Sequence, residues 1–262
     1  NPYPRLMGKK QVIDRQQIVD LATTTSLTPH VVEKDYVLGW LLWGIHNTPS
    51  VSGAWVFKGG TCLKKCFFET YRFSEDLDFT VQNREHMNSE FLSRALDSIC
   101  EAVYEQTGIE FPADLRRIEL YENPRGIVSC QAKVAYRGPV SPPGKNAPRI
   151  KLDLSVDEIL VLPPIQSSVY HPYTDEPEGG IHTISYSYVE AFAEKVRALA
   201  ERTRPRDLYD VINLFRRHES RPEAAELLSV LRQKCKFKEI GLPGMAAIIP
   251  HWNDLVGSWG AM

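Results

Sequence analysis

Phe57-Lys58-Gly59-Gly60-Thr61 and, further along, Arg72-Phe73-Ser74-Glu75-Asp76-Leu77-Asp78-Phe79 are the segments on which the reading of this chain turns. Ala54-Trp55-Val56-Phe57-Lys58 has strand composition. Gly59-Gly60 interrupts it, and Thr61 is placed to cap a following helix through its hydroxyl. Leu63, Phe67 and Tyr71 recur at helical spacing along that helix. Asp76 to Val81 then alternates, with Asp76, Asp78 and Thr80 on one side and Leu77, Phe79 and Val81 on the other. The unit reads as strand, turn, helix, strand.

Each part has a chemical reason. Paired glycines let backbone approach a ligand closely. The helix start behind them, with unpaired N–H groups and a positive dipole end, suits phosphate. Asp76 and Asp78 share one strand face, where their carboxylates can hold a divalent cation such as Mg²⁺ together with substrate phosphates. Asp153 lies on a further strand, in Arg149–Val156, whose Ile150, Leu152, Leu154 and Val156 face opposite to Lys151, Asp153 and Ser155. If the two strands are neighbours, three carboxylates converge on a site suited to in-line displacement at phosphorus. A lone Gly-Gly is more often a tight turn, and a lone Asp-x-Asp is more often a solvated strand face. In one unit, three acids without obvious basic partners repel one another unless a cation sits among them.

The rest of the chain supplies the frame. Residues 1–48 read as mainly helical: Thr28-Pro29 starts a helix, Val31, Leu38, Leu41, Leu42 and Ile45 mark its buried face, and Asn47-Thr48-Pro49-Ser50 ends it. Residues 89–107 read as helix, and 127–136 as a strand with Val128, Cys130, Ala132, Val134 and Tyr136 on one face. Gly138–Pro148 and Pro163–Gly180 read as loops, the second as a candidate boundary. From Tyr188 the chain is helical, with one stripe of Val189, Phe192, Val196 and Leu199 and another of Leu208, Val211, Ile212 and Phe215. Trp252, Leu255 and Trp259 close it in a short terminal helix.

Composition narrows the function classes. A net charge of -2 argues against a protein that coats long nucleic acid, while leaving room for a local basic patch. Five cysteines without paired spacing argue against a disulfide framework. The longest apolar run, Tyr36–Ile45, falls short of the roughly 20 residues that span a bilayer. With no signal-peptide pattern at the start, a cytoplasmic protein without membrane association, monomeric by default, is expected.

Several other residues carry two readings. Lys195 can bind a triphosphate as a point charge or sit solvated beside an acid. Asp207, in a first helical turn, suits the helix dipole, and Asp210 lies on nearly the same face. Arg197, Arg202, Arg204, Arg206, Arg216 and Arg217 concentrate positive charge that either grips an RNA backbone or is balanced by acids. Lys58 and Lys64 flank the glycine turn and are candidate phosphate donors. Cys62 and Cys66 lack the further ligands a zinc site needs and read as packing residues, as do Trp40 and Trp43.

At Phe57–Thr61 and Arg72–Phe79 the sequence resembles the AbiEii/AbiGii-type, or MenT-like, nucleotidyltransferase toxins of bacteria, within the DNA polymerase β-like nucleotidyltransferase superfamily. The likeness extends, in order, to Val32-Glu33-Lys34-Asp35-Tyr36, Lys151-Leu152-Asp153-Leu154-Ser155, Glu194-Lys195-Val196-Arg197-Ala198 and Arg206-Asp207-Leu208-Tyr209-Asp210, about residues 28–215. The resemblance implies an α+β fold: a polymerase β-like core, a small mixed sheet with helices, with N- and C-terminal helical parts. The corresponding division is 1–48 helical segment, 49–180 core and 181–262 C-terminal helical domain. It implies a nucleoside triphosphate donor, Mg²⁺ or Mn²⁺ as cofactor, tRNA as acceptor and an antitoxin partner. It assigns Asp76 and Asp78 to metal, Gly59, Gly60 and Thr61 to phosphates, and Lys195 and Asp207 to nucleotide binding and catalysis. Two rivals keep the site: transfer to a protein hydroxyl, and a degenerate module that senses nucleotide without turnover.

Overall fold

The computed structural model describes residues 13–68, 74–141 and 146–257. Its first helix, α1 (Arg15–Thr25), is closed by a reciprocal cap: the Gln17 N–H donates to the Asp14 carboxylate and the Asp14 N–H to the Gln17 side chain. α2 (Pro29–Asn47) begins on Pro29 and stops at Thr48, as its sequence predicts. Its burial differs from the single face expected. Leu38, Leu41, Leu42 and Ile45 are buried, but so are Val32, Tyr36, Val37 and Trp40, while Val31 is only half-buried. α2 packs against α1 and two later elements, described next, and a helix covered on all sides is apolar all round.

The sheet begins with β1 (Trp55–Lys58). A helical turn, α3 (Gly59–Cys62), runs on as a wider π turn over Leu63–Phe67. Tyr71, Arg72 and Phe73 lie outside the described residues. β2 (Asp76–Val81), α4 (Ser89–Thr107), β4 (Val128–Ala135) and β5 (Arg149–Ser155) form where periodicity places them. Three strands were not expected from the pattern: β3 (Arg117–Glu122), β6 (Ile165–Val169) and β7 (Ile181–Ser185). β3 and β6 are the two sheet edges, where little is buried and no apolar alternation develops. β6 lies inside the supposed loop 163–180, and β7, in the part expected to be helical, pairs with β1. The sheet order is β3-β4-β5-β2-β1-β7-β6, parallel at β2–β5 and β1–β7 and antiparallel elsewhere.

One sheet face, with Phe57, Leu77, Phe79, Cys130, Ala132, Leu152 and Leu154, packs with α1, α2 and α4 into the main core. The other face is divided. At its β1–β7 end, Val56 and Tyr186 are covered by helices α5 (Tyr188–Arg202) and α6 (Pro205–Arg216). At its β2–β5–β4–β3 end it carries polar residues. α7 (Ala224–Phe237) packs on α5, and two short helices, α8 (Met245–Ile248) and α9 (Trp252–Gly257), follow. Trp259 lies outside the described residues. No described helix is long and apolar enough to cross a membrane.

α6 overturns one expectation. Its buried residues are Asp207, Asp210 and Leu214, whereas Phe215 is 56% exposed and Leu208, Val211 and Ile212 are half-buried. The helix turns Asp207 and Asp210 toward Lys195 of α5, with Leu214 and Val211 packed beside them, and leaves Phe215 at the surface.

The π turn that continues α3 is bolted to α2 by ions. Asp35 lies 2.5 Å from the Lys64 ammonium and 2.7 Å from that of Lys65, whose side chain is fully buried. Burial alone would raise the Asp35 carboxyl, but Lys65 and Lys64 hold it at about 2, below its ordinary 3.8. Because the folded value is depressed, this stabilisation is present above pH 3.8 and fades as pH falls through 2. Asp35→Ala strands Lys65 in the interior, so the unfolding free energy is expected to drop by about 3–5 kcal/mol. Adding Lys65→Met should restore much of that loss. Urea denaturation of both variants measures this; equal midpoints for single and double variants would exclude it.

Candidate active site

Lys58 ends β1, and Gly59 turns the chain at a φ of +83°. A side chain is doubly excluded there. The backbone angle is one that L-residues avoid, and a Cβ would stand 2.3 Å from the Asp78 carboxylate oxygen. The glycine turn and the second acid of Asp76-Leu77-Asp78 are thus in direct apposition.

Strand register assembles the rest. Lys58 stands opposite Asp78 across β1–β2, Asp78 opposite Asp153 across β2–β5, and Asp153 opposite Gln131 across β5–β4. Gln131 donates to Asp153 at 3.2 Å. Burial raises the half-buried Asp78 carboxyl. Lys58 and Lys195 oppose that shift, while Asp153 and Asp76 add to it.

Two of the three acids share a basic partner. Lys151, beside Asp153 on β5, places its ammonium 3.0 Å from Asp76 and 2.8 Å from Asp153. Its position on the Asp153 face was visible in the strand alternation, but its bridging role required the β2–β5 register. Among the described residues, no three acids, histidines or cysteines converge as a ready ligand set. The donor chemistry nevertheless fits a hard dication. Carboxylate oxygens stand on adjacent strands, and the crowding of Asp78 is of the kind that such an ion relieves.

Thr61 does not cap α3. Lys58 occupies the cap position without a side-chain bond. The fully buried Thr61 hydroxyl donates to the Asp76 carbonyl at 2.5 Å and lies 2.8 Å from the Ser74 hydroxyl. It fastens the glycine turn to the start of β2.

Lys195, on α5, contacts both candidate acids of α6, at 2.7 Å from Asp210 and 3.4 Å from Asp207. Arg202 also holds Asp207, at 3.1 Å. Asp210 is fully buried and is the nearer partner.

Sequence reading missed a second ion network behind Lys58. Glu158 lies 3.3 Å from Lys58, 3.5 Å from Lys238 and 4.0 Å from Arg197. Arg197 also binds Glu194 at 2.6 Å and pairs with Glu201. Lys234, 2% exposed, reaches Glu190 at 2.7 Å and Glu194 at 3.4 Å. Burial would raise the Glu194 carboxyl, yet Lys234, Arg197 and Lys58 hold it below the ordinary range. Burial would likewise depress the Lys58 ammonium, but Glu158, with Glu194 and Asp78, keeps it above its usual value. No local pattern announces these contacts between distant segments.

The network also reduces the arginine cluster. Arg197 is buried and Arg202 is paired, which leaves Arg204, Arg206 and Arg216 exposed and Arg217 over the Phe68 ring at 5.2 Å. Lys64 is taken by Asp35. Cys62 and Cys66 are free thiols, Cys62 wholly buried, and act as packing residues.

A mixed sheet that sets acids of adjacent strands beside a glycine turn defines the class, a nucleotidyltransferase. The chain belongs to the family described as "Nucleotidyl transferase AbiEii toxin, Type IV TA system", whose match spans residues 40–254. It is a nucleotidyltransferase toxin of the type IV toxin–antitoxin kind, which implies a nucleoside triphosphate substrate and an antitoxin partner. Among solved structures it is similar to MenT4, a nucleotidyltransferase toxin from Mycobacterium tuberculosis H37Rv, with a TM-score of 0.50 and 18% identity over 95% of this chain and 99% of that one. At that identity the likeness is one of fold. No curated protein sequence matches the chain.

Gly59→Ala is expected to displace the Asp78 carboxylate and lower nucleotide transfer by on the order of 100-fold, the scale of an ångström misplacement at a reacting centre. Gly108→Ala is the control. Gly108 also has a positive φ, +74°, but a Cβ added there would meet nothing within 4 Å, so stability should fall while transfer persists. Comparing incorporation rates and melting temperatures of the two variants checks this.

Proposed function

We propose that the protein transfers a nucleoside monophosphate from a nucleoside triphosphate to an RNA 3′-hydroxyl, with the tRNA acceptor end as target, and blocks translation by doing so. The observation that carries the reading is the register that sets Lys58, Asp78 and Asp153 in one row, with Gly59 against the Asp78 carboxylate. The acceptor oxygen forms the new bond to the α-phosphorus as the bond to pyrophosphate breaks. Asp153, on the neighbouring strand β5, orients the hydroxyl and takes its proton. Gly59 and Gly60 leave room for the triphosphate, and Lys58 and Lys195 lie near enough to Asp78 to meet its charge.

Asp76, Asp78 and Asp153 are the residues that would hold Mg²⁺ or Mn²⁺, with Lys151 giving way. The ion would stabilise charge on the α-phosphate and the leaving pyrophosphate. In this reading Asp207 and Asp210 position Lys195. The protein acts as a monomer in the cytoplasm, silenced by its antitoxin. Presence of acids in all three strand positions favours an active transferase over a nucleotide-sensing remnant.

Incubation with each labelled triphosphate, Mg²⁺, and either total tRNA or total protein tests the proposal. Label is expected on tRNA, with complete dependence on divalent cation. Asp76→Ala and Asp78→Asn should abolish incorporation while preserving the circular dichroism spectrum. Undiminished incorporation by either variant, or in excess chelator, would sink the metal-site assignment.

A further inference from the structure

The open end of the sheet carries three cross-strand rows of different chemistry. The first contains Asp78, Asp153, Gln131 and Glu119. The second, one pleat repeat away at roughly 7 Å, contains Asp76, Lys151, Lys133 and Arg117. The third sets Ser155 and Ser129 beside Tyr121.

The basic row is unusual for a sheet. Like charges directly opposite each other are destabilising. Lys151 is neutralised by Asp76 and Asp153, but Lys133 and Arg117 are exposed and meet no carboxylate among the described residues. Arg117 donates only to the backbone carbonyls of Asp114 and Arg116. Protection of a free edge explains charge on β3, but not Lys133, which stands on the interior strand β4. Tyr121 is equally unsupported. It is 45% exposed, and the serines beside it are too small to cover its ring.

From this arrangement we infer that the open face of β3–β4–β5 is the acceptor track of the enzyme: Lys133 and Arg117 hold phosphates of single-stranded RNA, and Tyr121 stacks a base, leading the 3′ end to Asp153. The inference rests on the transferase reading for its direction, though its binding step does not require transfer. Cations and an exposed aromatic ring two pleat repeats apart, at roughly 14 Å on one open sheet face, suit an extended single-stranded polyanion that spans both. A peptide adding to the β3 edge would instead meet Arg117, Glu119 and Glu122. Glu119 lies in line with the acidic row, so the phosphates run along the neighbouring basic row.

The test uses the full chain and a fluorescently labelled single-stranded RNA with a free 3′-hydroxyl, first without triphosphate. Lys133→Ala and Arg117→Ala should each weaken binding and reduce the slope of log affinity against log salt by roughly 0.7. Tyr121→Ala should weaken binding roughly tenfold with the slope unchanged, and Tyr121→Phe should restore it. Arg94→Ala, on α4 behind the sheet, should bind as wild type. In turnover, the track variants should raise KM for RNA and leave KM for triphosphate and kcat at saturating RNA near wild type. Wild-type affinity and slope in all three track variants overturn the track. So does a wild-type protein that binds no RNA and labels protein instead. Row-dependent RNA binding without incorporation would sink the transferase reading and leave the track standing.

Discussion

The site depends on the placement of one strand. β2 is hydrogen-bonded antiparallel to β1 on one side and parallel to β5 on the other. That position puts Asp78 between Lys58 and Asp153, with the apolar side of the same strand anchored in the main core. Because strand side chains alternate, a slip of one residue would send Leu77 to the solvent face and Asp78 into the hydrocarbon. The burial of Leu77, Phe79 and Val81 therefore enforces the geometry of the acids behind them.

Around that strand the protein gathers charge where burial opposes it. Asp78 is crowded by two acids, and lysines arrive from β1 and α5 to offset the crowding. Those lysines are themselves held, Lys58 by Glu158 and Lys195 by Asp210. Glu158 in turn meets Arg197 and Lys238, and Arg197 meets Glu194, so α5 and α7 are tied to the glycine turn by ions as well as apolar contact. A second clamp, Asp35 with Lys64 and Lys65, secures the π turn that follows it from the α2 side. Partly buried pairs of this kind contribute less to net stability than to holding one arrangement of groups.

Sequence reading succeeded where a residue's environment repeats along the chain. Alternation in Asp76–Val81 and Arg149–Ser155, and the proline start of α2, follow from local geometry and were legible. It failed where the environment is not periodic. β3 and β6 are edges with little burial, so their strands carry no apolar stripe. α6 shows an apolar stripe yet also buries its acids, which pair with Lys195 of α5, and leaves Phe215 of the stripe exposed.

By itself, the sequence determined the glycine turn, the two acids of β2 on one face, the third acid on the polar side of β5, and the family likeness those motifs carry. These are properties of neighbours along the chain, governed by backbone angles and a two-residue repeat. Only the tertiary structure decided that β5 lies beside β2, that Lys151 bridges Asp76 and Asp153, that Thr61 serves the Asp76 backbone, and that Asp210 is the nearer partner of Lys195. Those facts depend on which distant segments are brought together to bury apolar surface, and charge contacts form between whichever groups that packing leaves adjacent.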